Sequence, residues 1–187
     1  MINSFRGTWF LSIVFGIYFI GGPMMMVLQE ELANVKKDGD EEFSNLKLIS
    51  SAFIPNDLVS LGCILVIIYT VRFLEHIFRI PKVIMILFVS FLIDIIIRFL
   101  AIGIYNIEIA KCGPVSGLTA LYLFYCVMFP TIKSSIFKAN EKIVLLLTII
   151  LLIMINGLTV VLPVICGALT FVALSPAMIS VPHNKEE

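Results

Sequence analysis

Two charged side chains interrupt a long apolar run. Asp94 and Arg98 sit in VIMILFVSFLIDIIIRFLAIGI, residues 83–104, where no other side chain is charged. Four residues apart, they share one face of a helix. Charges set this deep among apolar neighbours are costly and seldom face lipid. Such a pair serves either as an ion pair packed inside a bundle or as a polar contact for a client or partner helix. It is also all that a small transporter could offer a substrate at mid-span. The four cysteines are Cys63, Cys112, Cys126 and Cys166. Three lie in apolar runs and read as small buried hydrophobes. No CxxC pair occurs, so neither a metal site nor a disulfide framework is expected. The two histidines are His76 and His183. No cofactor is expected.

The elements that must carry these residues follow from composition. Of 187 residues, 60% are hydrophobic and 14% charged, with a mean hydropathy of +1.08. Soluble domains run at roughly 45–50% apolar and about 25% charged. A core of this size cannot hide so much apolar side chain from water, so the lipid bilayer is the expected solvent. Thirteen Lys and Arg balance thirteen Asp and Glu, which argues against a nucleic-acid partner.

A spanning helix needs roughly 20 mostly apolar residues. No charge occurs between Arg6 and Glu30, so residues 8–28 are the expected first span, interrupted near its exit by Gly21, Gly22 and Pro23. Its length exceeds a signal-peptide core, so it is expected to be retained. Residues 29–56 read as a polar loop, acidic at first and amphipathic in LKLISSAFIP. A short second span at 58–75 ends in Arg72 and Glu75, and a third at 82–104 carries Asp94 and Arg98. The fourth opens at Gly113-Pro114 and closes at Pro130. The stretch 143–181 has no charge and is too long for one helix. Asn156-Gly157 is a turn signal and divides it into spans at 143–155 and 159–178. The expected fold is therefore an all-α bundle of six helices, one transmembrane domain over residues 1–187.

Two words in this frame point further. The first is GPVSGLTALY, residues 113–122. It resembles the G-x-S-G element of rhomboid proteases, in which a serine at the top of the fourth span attacks the peptide. Ser116 matches that serine, with Gly113 and Gly117 around it. The second is LKLISSAFIPNDLVSLGCILVIIYTVRFLEHIF, residues 46–78. It is similar to the rhomboid pattern of a Trp-Arg pair followed by a second span ending in Leu-Glu. Leu46 and Lys47 stand at the Trp-Arg position, and Leu74 and Glu75 match the Leu-Glu. The resemblance implies a rhomboid-like bundle.

The departures imply loss of activity. Serine is a weak nucleophile until a base takes its proton. Rhomboids use a histidine in the sixth span, and here that span offers Cys166 and Gly167 but no base. The second span reads VSLGCILV and has neither the histidine nor the asparagine that help hold the oxyanion. His76 and His183 fall on the wrong side of the membrane for Ser116. Ser116 is therefore expected to be the vestige of a nucleophile, in a pseudoprotease.

Within the superfamily, YTVRFLEHIFRIPKVIMILFVSFLIDII and SGLTALYLFYCVMFPTIKSSIFKANEKIVLLL resemble the ubiquitin-associated-domain-containing rhomboid-like proteins. The rhomboid-like subunit of the Golgi Dsc ubiquitin ligase belongs with them. That resemblance implies a scaffold for membrane-protein quality control, with client membrane proteins and ubiquitin ligase subunits as partners. The ubiquitin-associated domain itself is not expected, because the chain runs only a few residues past its sixth span. Derlin-like retrotranslocation from the endoplasmic reticulum is the close rival. An active intramembrane serine protease and a small transporter are the others.

Orientation follows from Lys and Arg in short loops. With a cytosolic N-terminus, Arg6, Arg72, Arg79, Lys82, Lys133, Lys138, Lys142 and Lys185 fall on the cytosolic side, eight in all. Lys36, Lys37, Lys47 and Lys111, four, fall on the other. Both termini are thus expected in the cytosol. A glycosylation acceptor placed in the DGDEE loop should be modified in microsomes, and one appended after Glu187 should not. The reverse pattern would overturn the orientation.

Overall fold

The computed structural model describes residues 9–35, 52–105, 113–128 and 141–179. Among the described residues there are six α-helices: α1 Trp9–Val35, α2 Leu58–Val71, α3 Leu74–Tyr105, α4 Val115–Met128, α5 Glu141–Asn156 and α6 Val161–Ile179. Among the described residues three stretches are long and apolar enough to cross a membrane, Trp9–Val27, Leu74–Ala101 and Val161–Met178. The other three helices are apolar but shorter. Large apolar side chains also face outward: Ile20 is 73% exposed and Met154 78%.

The fourth helix is the hub. Ten of its fourteen residues are buried, and α6, α3 and α2 all pack against it. An edge-to-face aromatic chain joins three of these helices. Phe124 lies 5.4 Å from Phe78 of α3 and 4.8 Å from Phe171 of α6. Further out, α1 and α5 flank α2.

Polar ties hold the helix ends. The carboxylate of Asp57 accepts the Ser60 N–H at 2.6 Å and caps α2, satisfying a donor that the first turn leaves open. Ser60 accepts from Asn156 Nδ2 at 2.8 Å, which pins the end of α5 to the start of α2. At the opposite end Lys142 Nζ donates to the Cys126 carbonyl at 2.7 Å and joins α5 to the last turn of α4.

Several boundaries differ from those expected. The first helix is not interrupted at Gly21-Gly22-Pro23 but runs on to Val35, into the expected polar loop. A proline inside a helix removes one ladder bond and bends rather than necessarily ending it, and Gly22 opens room for Leu61 of α2. The second helix stops at Val71, so Leu74 and Glu75 open α3 instead of closing α2. Glu75 is drawn inward because its carboxylate caps another helix: it accepts the backbone N–H groups of Phe10, at 3.3 Å, and Leu11. The first turn of α1 has no acidic residue of its own, and a carboxylate is favoured at a helix N-terminus. The third helix is broken at Arg79 (φ 59, ψ 158), two residues before Pro81, a conformation costing a non-glycine residue about 1–3 kcal/mol. Gly157 (φ 71) opens a 3₁₀ turn over Gly157–Val160, so α5 and α6 divide at the Asn-Gly pair. Leu46, Lys47, the acidic 38–42 stretch, Cys112, the 131–140 loop, His183 and Lys185 lie outside the described residues.

Helix α6 lies close against α4 at Gly167. A Cβ there would run into the Ser116 carbonyl and come within 2.7 Å of Thr119 Cβ and 3.1 Å of Ala120 N. Two of these are backbone atoms, which cannot step aside cheaply. Gly167→Ala should therefore cost about 1–3 kcal/mol by overpacking, read as a lower unfolding midpoint in mild detergent. Gly16, where a Cβ would meet nothing within 4 Å, gives the control: Gly16→Ala should leave the midpoint unchanged or raise it slightly.

Candidate functional site

Chain geometry delivers Ser116 to the mouth of α4. Gly113 is buried with φ 70, a left-handed turn, and a side chain there would stand 2.9 Å from Ile64 Cδ1. Pro114 follows, at the helix start where its missing N–H costs nothing. The Val115 N–H bonds the Gly113 carbonyl at 2.8 Å, and the Leu118 N–H bonds the Pro114 carbonyl at 3.1 Å. Ser116 thus falls in the first turn of α4, 3% exposed. Gly117 beside it faces α3, and a Cβ there would meet Leu87 and approach Ser90.

The face of α6 that crosses α4 at Gly167 has Val164 one turn before it and Thr170 one turn after. Neither is titratable, and Thr170 spends its hydroxyl on the Cys166 carbonyl at 2.9 Å. Cys166, next to Gly167, turns toward α3, where its thiol stands beside the Asp94 carboxylate. On α3, Ser90, Asp94 and Arg98 form a line at four-residue spacing, each no more than 1% exposed. Arg98 Nε donates to Asp94 Oδ2 at 2.9 Å. Ser90 Oγ and Asp94 Oδ1 are buried without a hydrogen-bond partner among the described residues.

The junction therefore gathers Ser116 and Gly117 from α4, Cys166 and Gly167 from α6, and the polar line of α3. Leu74 and Glu75 are not part of it. They stand at the other end of the bundle, and so does His76. The length of α4, fourteen residues or roughly 21 Å at 1.5 Å per residue, separates the two ends. Nucleophilic attack by serine needs a base in hydrogen-bond reach. Among the described residues none bonds the Ser116 hydroxyl. The carboxylate at the junction is Asp94, and its paired oxygen already faces a guanidinium.

Ser116 also lines a cleft of about 400 Å³ between α1 and α3. The walls are apolar, with Leu11, Val14 and Tyr18 on one side and Leu87 and Phe91 on the other. Phe53 closes one edge. Its carbonyl accepts from Tyr18 Oη at 2.9 Å, and its ring meets that of Phe91 at a tilt of 41°, centroids 4.6 Å apart. Sequence reasoning missed this cleft, the Cys166–Asp94 approach and the Glu75 cap. Each joins residues distant in the chain, and no local pattern marks them. Comparison of the chain with protein-family models, with curated proteins and with solved structures finds no match.

Removing one partner of the buried pair leaves the other charge uncompensated. Asp94→Leu or Arg98→Leu alone should cost about 3–5 kcal/mol, seen as loss of folded protein and a lower unfolding midpoint. The double change should recover most of that. Single variants that fold normally but lose a partner on purification would assign the pair to recognition instead.

Proposed function

We propose that this chain is an integral membrane protein with a rhomboid-like arrangement of its six helices. On this reading it is a catalytically inactive scaffold in membrane-protein quality control at the endoplasmic reticulum, with both termini cytosolic. It holds client transmembrane segments and brings them to ubiquitin ligase subunits. The observation that carries the reading is the α4–α6 crossing. A buried serine in the first turn of the central helix lies against a glycine of the last one, and the facing side chains Val164 and Thr170 offer no base. Outward faces such as those of Ile20 and Met154 suit hydrocarbon. The cleft beside Ser116 is apolar and of the size that suits a ligand or an inserted side chain. Short α5, exposed along Ile143, Leu147 and Met154, favours a thinned bilayer beside it, which eases the handling of badly inserted helices.

Asp94 is the feature that favours a second reading, a small transporter, because a carboxylate oxygen is left unpartnered. Arg98 bonded to the same carboxylate and the apolar walls of the nearby cleft weigh against it.

The test has two arms. A fluorophosphonate probe should give no labelling that depends on Ser116, and Ser116→Ala should leave client turnover unchanged. A photo-crosslinker at Phe91 should capture a client transmembrane segment, and ubiquitin ligase subunits should co-purify in mild detergent. Labelling abolished by Ser116→Ala would overturn the inactive reading. A chain that crosslinks no membrane protein and brings down no ligase subunit would overturn the scaffold.

A further inference from the structure

The corner between α2 and α3 sorts its charges by sign. Segment 72–82, RFLEHIFRIPK, holds Arg72, His76, Arg79 and Lys82 beside one acid, Glu75. The acid is turned in. Glu75 is 3% exposed, and both its oxygens take N–H groups of α1. The bases are turned out. His76 and Arg79 are exposed, and Arg72 and Lys82 are half-buried. Neither Arg79 nor Lys82 forms a salt bridge among the described residues. The break at Arg79 sets this corner apart from the long remainder of α3.

The same corner carries apolar and aromatic groups that water alone would not favour. Because Glu75 caps α1, Trp9 begins at this end, and it is 55% exposed. Ile77 is also exposed, between His76 and Phe78. The Arg72 guanidinium lies 3.8 Å from the centre of the Tyr69 ring and 5.0 Å from that of Phe73. Exposed Trp, a stacked Tyr, an outward Ile and several cations in one place are the composition of a membrane–water interface. Pure hydrocarbon would reject Arg79, and bulk water would not favour Ile77 and Trp9.

We infer that this corner is a docking surface for anionic phospholipid headgroups, with Arg79 and Lys82 as the phosphate-facing cations and Trp9 and Ile77 seated among the acyl-chain tops. Charge complementarity selects the occupant. Three permanent cations stand against a carboxylate whose oxygens are already engaged, so the outward field is positive. Guanidinium groups match the fork of phosphate oxygens. The inference rests on the membrane reading above but not on the scaffold role. It also supplies a physical reason for this end to face a leaflet rich in anionic lipid.

The test uses the full chain reconstituted in phosphatidylcholine vesicles, with spin-labelled phosphatidylserine or phosphatidylcholine as the probe. Labelled phosphatidylserine should be held at the protein severalfold more strongly than labelled phosphatidylcholine, and added sodium chloride should weaken the preference. Each cation near an anionic surface is worth roughly fivefold, so R79Q/K82Q should lose most of the selectivity. R79K/K82R should keep it, which separates charge from folding. K36Q/K37Q, in the segment after α1, should also keep it. Equal retention of the two lipids by the wild type, or unchanged selectivity in R79Q/K82Q, overturns the inference while leaving the membrane reading intact. Inorganic phosphate that displaces phosphatidylserine where chloride of equal ionic strength does not would reassign the site to a free anion and overturn it as well. A chain that fails to enter vesicles and is stripped from membranes by alkaline carbonate overturns the membrane reading itself, and this inference with it.

Discussion

Gly167 is the residue on which the arrangement turns. Lipid tails are as apolar as leucine, so helices in a bilayer gain little from hiding apolar surface against one another. What remains is close packing, and close packing needs small residues where backbones cross. Gly167 lets α6 lie on the Ser116 carbonyl and the Thr119 side chain, and Gly117 does the same for α3 against α4. With both neighbours pressed this closely, α4 is left with almost no outer face. Phe124 can then reach Phe78 and Phe171 together, which extends the contact along the rest of the helix.

A buried hub removes a difficulty that length would otherwise create. Fourteen residues span roughly 21 Å, short of a hydrocarbon core of about 30 Å. Helix α4 meets its neighbours over most of its surface, and α2 buries half its residues. On the membrane reading proposed above, the mismatch then falls on the outer side of α2, where Leu58 and Val59 are exposed, and on α5. Its Lys142 cannot simply reach outward to relieve it, because the ammonium is committed to the Cys126 carbonyl. Helix ends show the same economy. Glu75 serves α1, Asp57 serves α2 and Asn156 ties α5 to α2, so polar groups at the termini also fix which helices are neighbours.

Local chemistry in the sequence announced much of this. Hydrophobic runs located all six helices, because the number of apolar residues between charges scales with helix length. Asn156-Gly157 marked the α5–α6 turn, since glycine takes the left-handed conformation without strain. The four-residue spacing of Asp94 and Arg98 put them on one face. Failures came where distant parts of the chain decide. Gly21-Gly22-Pro23 reads as a break only if α1 stands alone, yet α2 packs at Gly22 and the helix continues. Leu74-Glu75 reads as the end of a span by composition. Its place at the start of α3 depends on α1, more than sixty residues earlier, offering open N–H groups. Cys166 reads as a small hydrophobe, and nothing local places it beside Asp94.

The junction around Ser116 is best understood through what Arg98 does to Asp94. Arg98 Nε donates to Asp94 Oδ2 at 2.9 Å, so one oxygen of that carboxylate is engaged within α3 itself. The pair also fixes α3 at the point where Cys166 and Gly117 meet it, so its two members hold one another and hold the crossing. A residue set that packs this tightly, and whose acid is already matched with a base of its own, is suited to keeping a shape. The apolar cleft beside it then inherits a rigid wall at Gly117, Leu87 and Phe91, against which α1, the least buried of the long helices, forms the softer side.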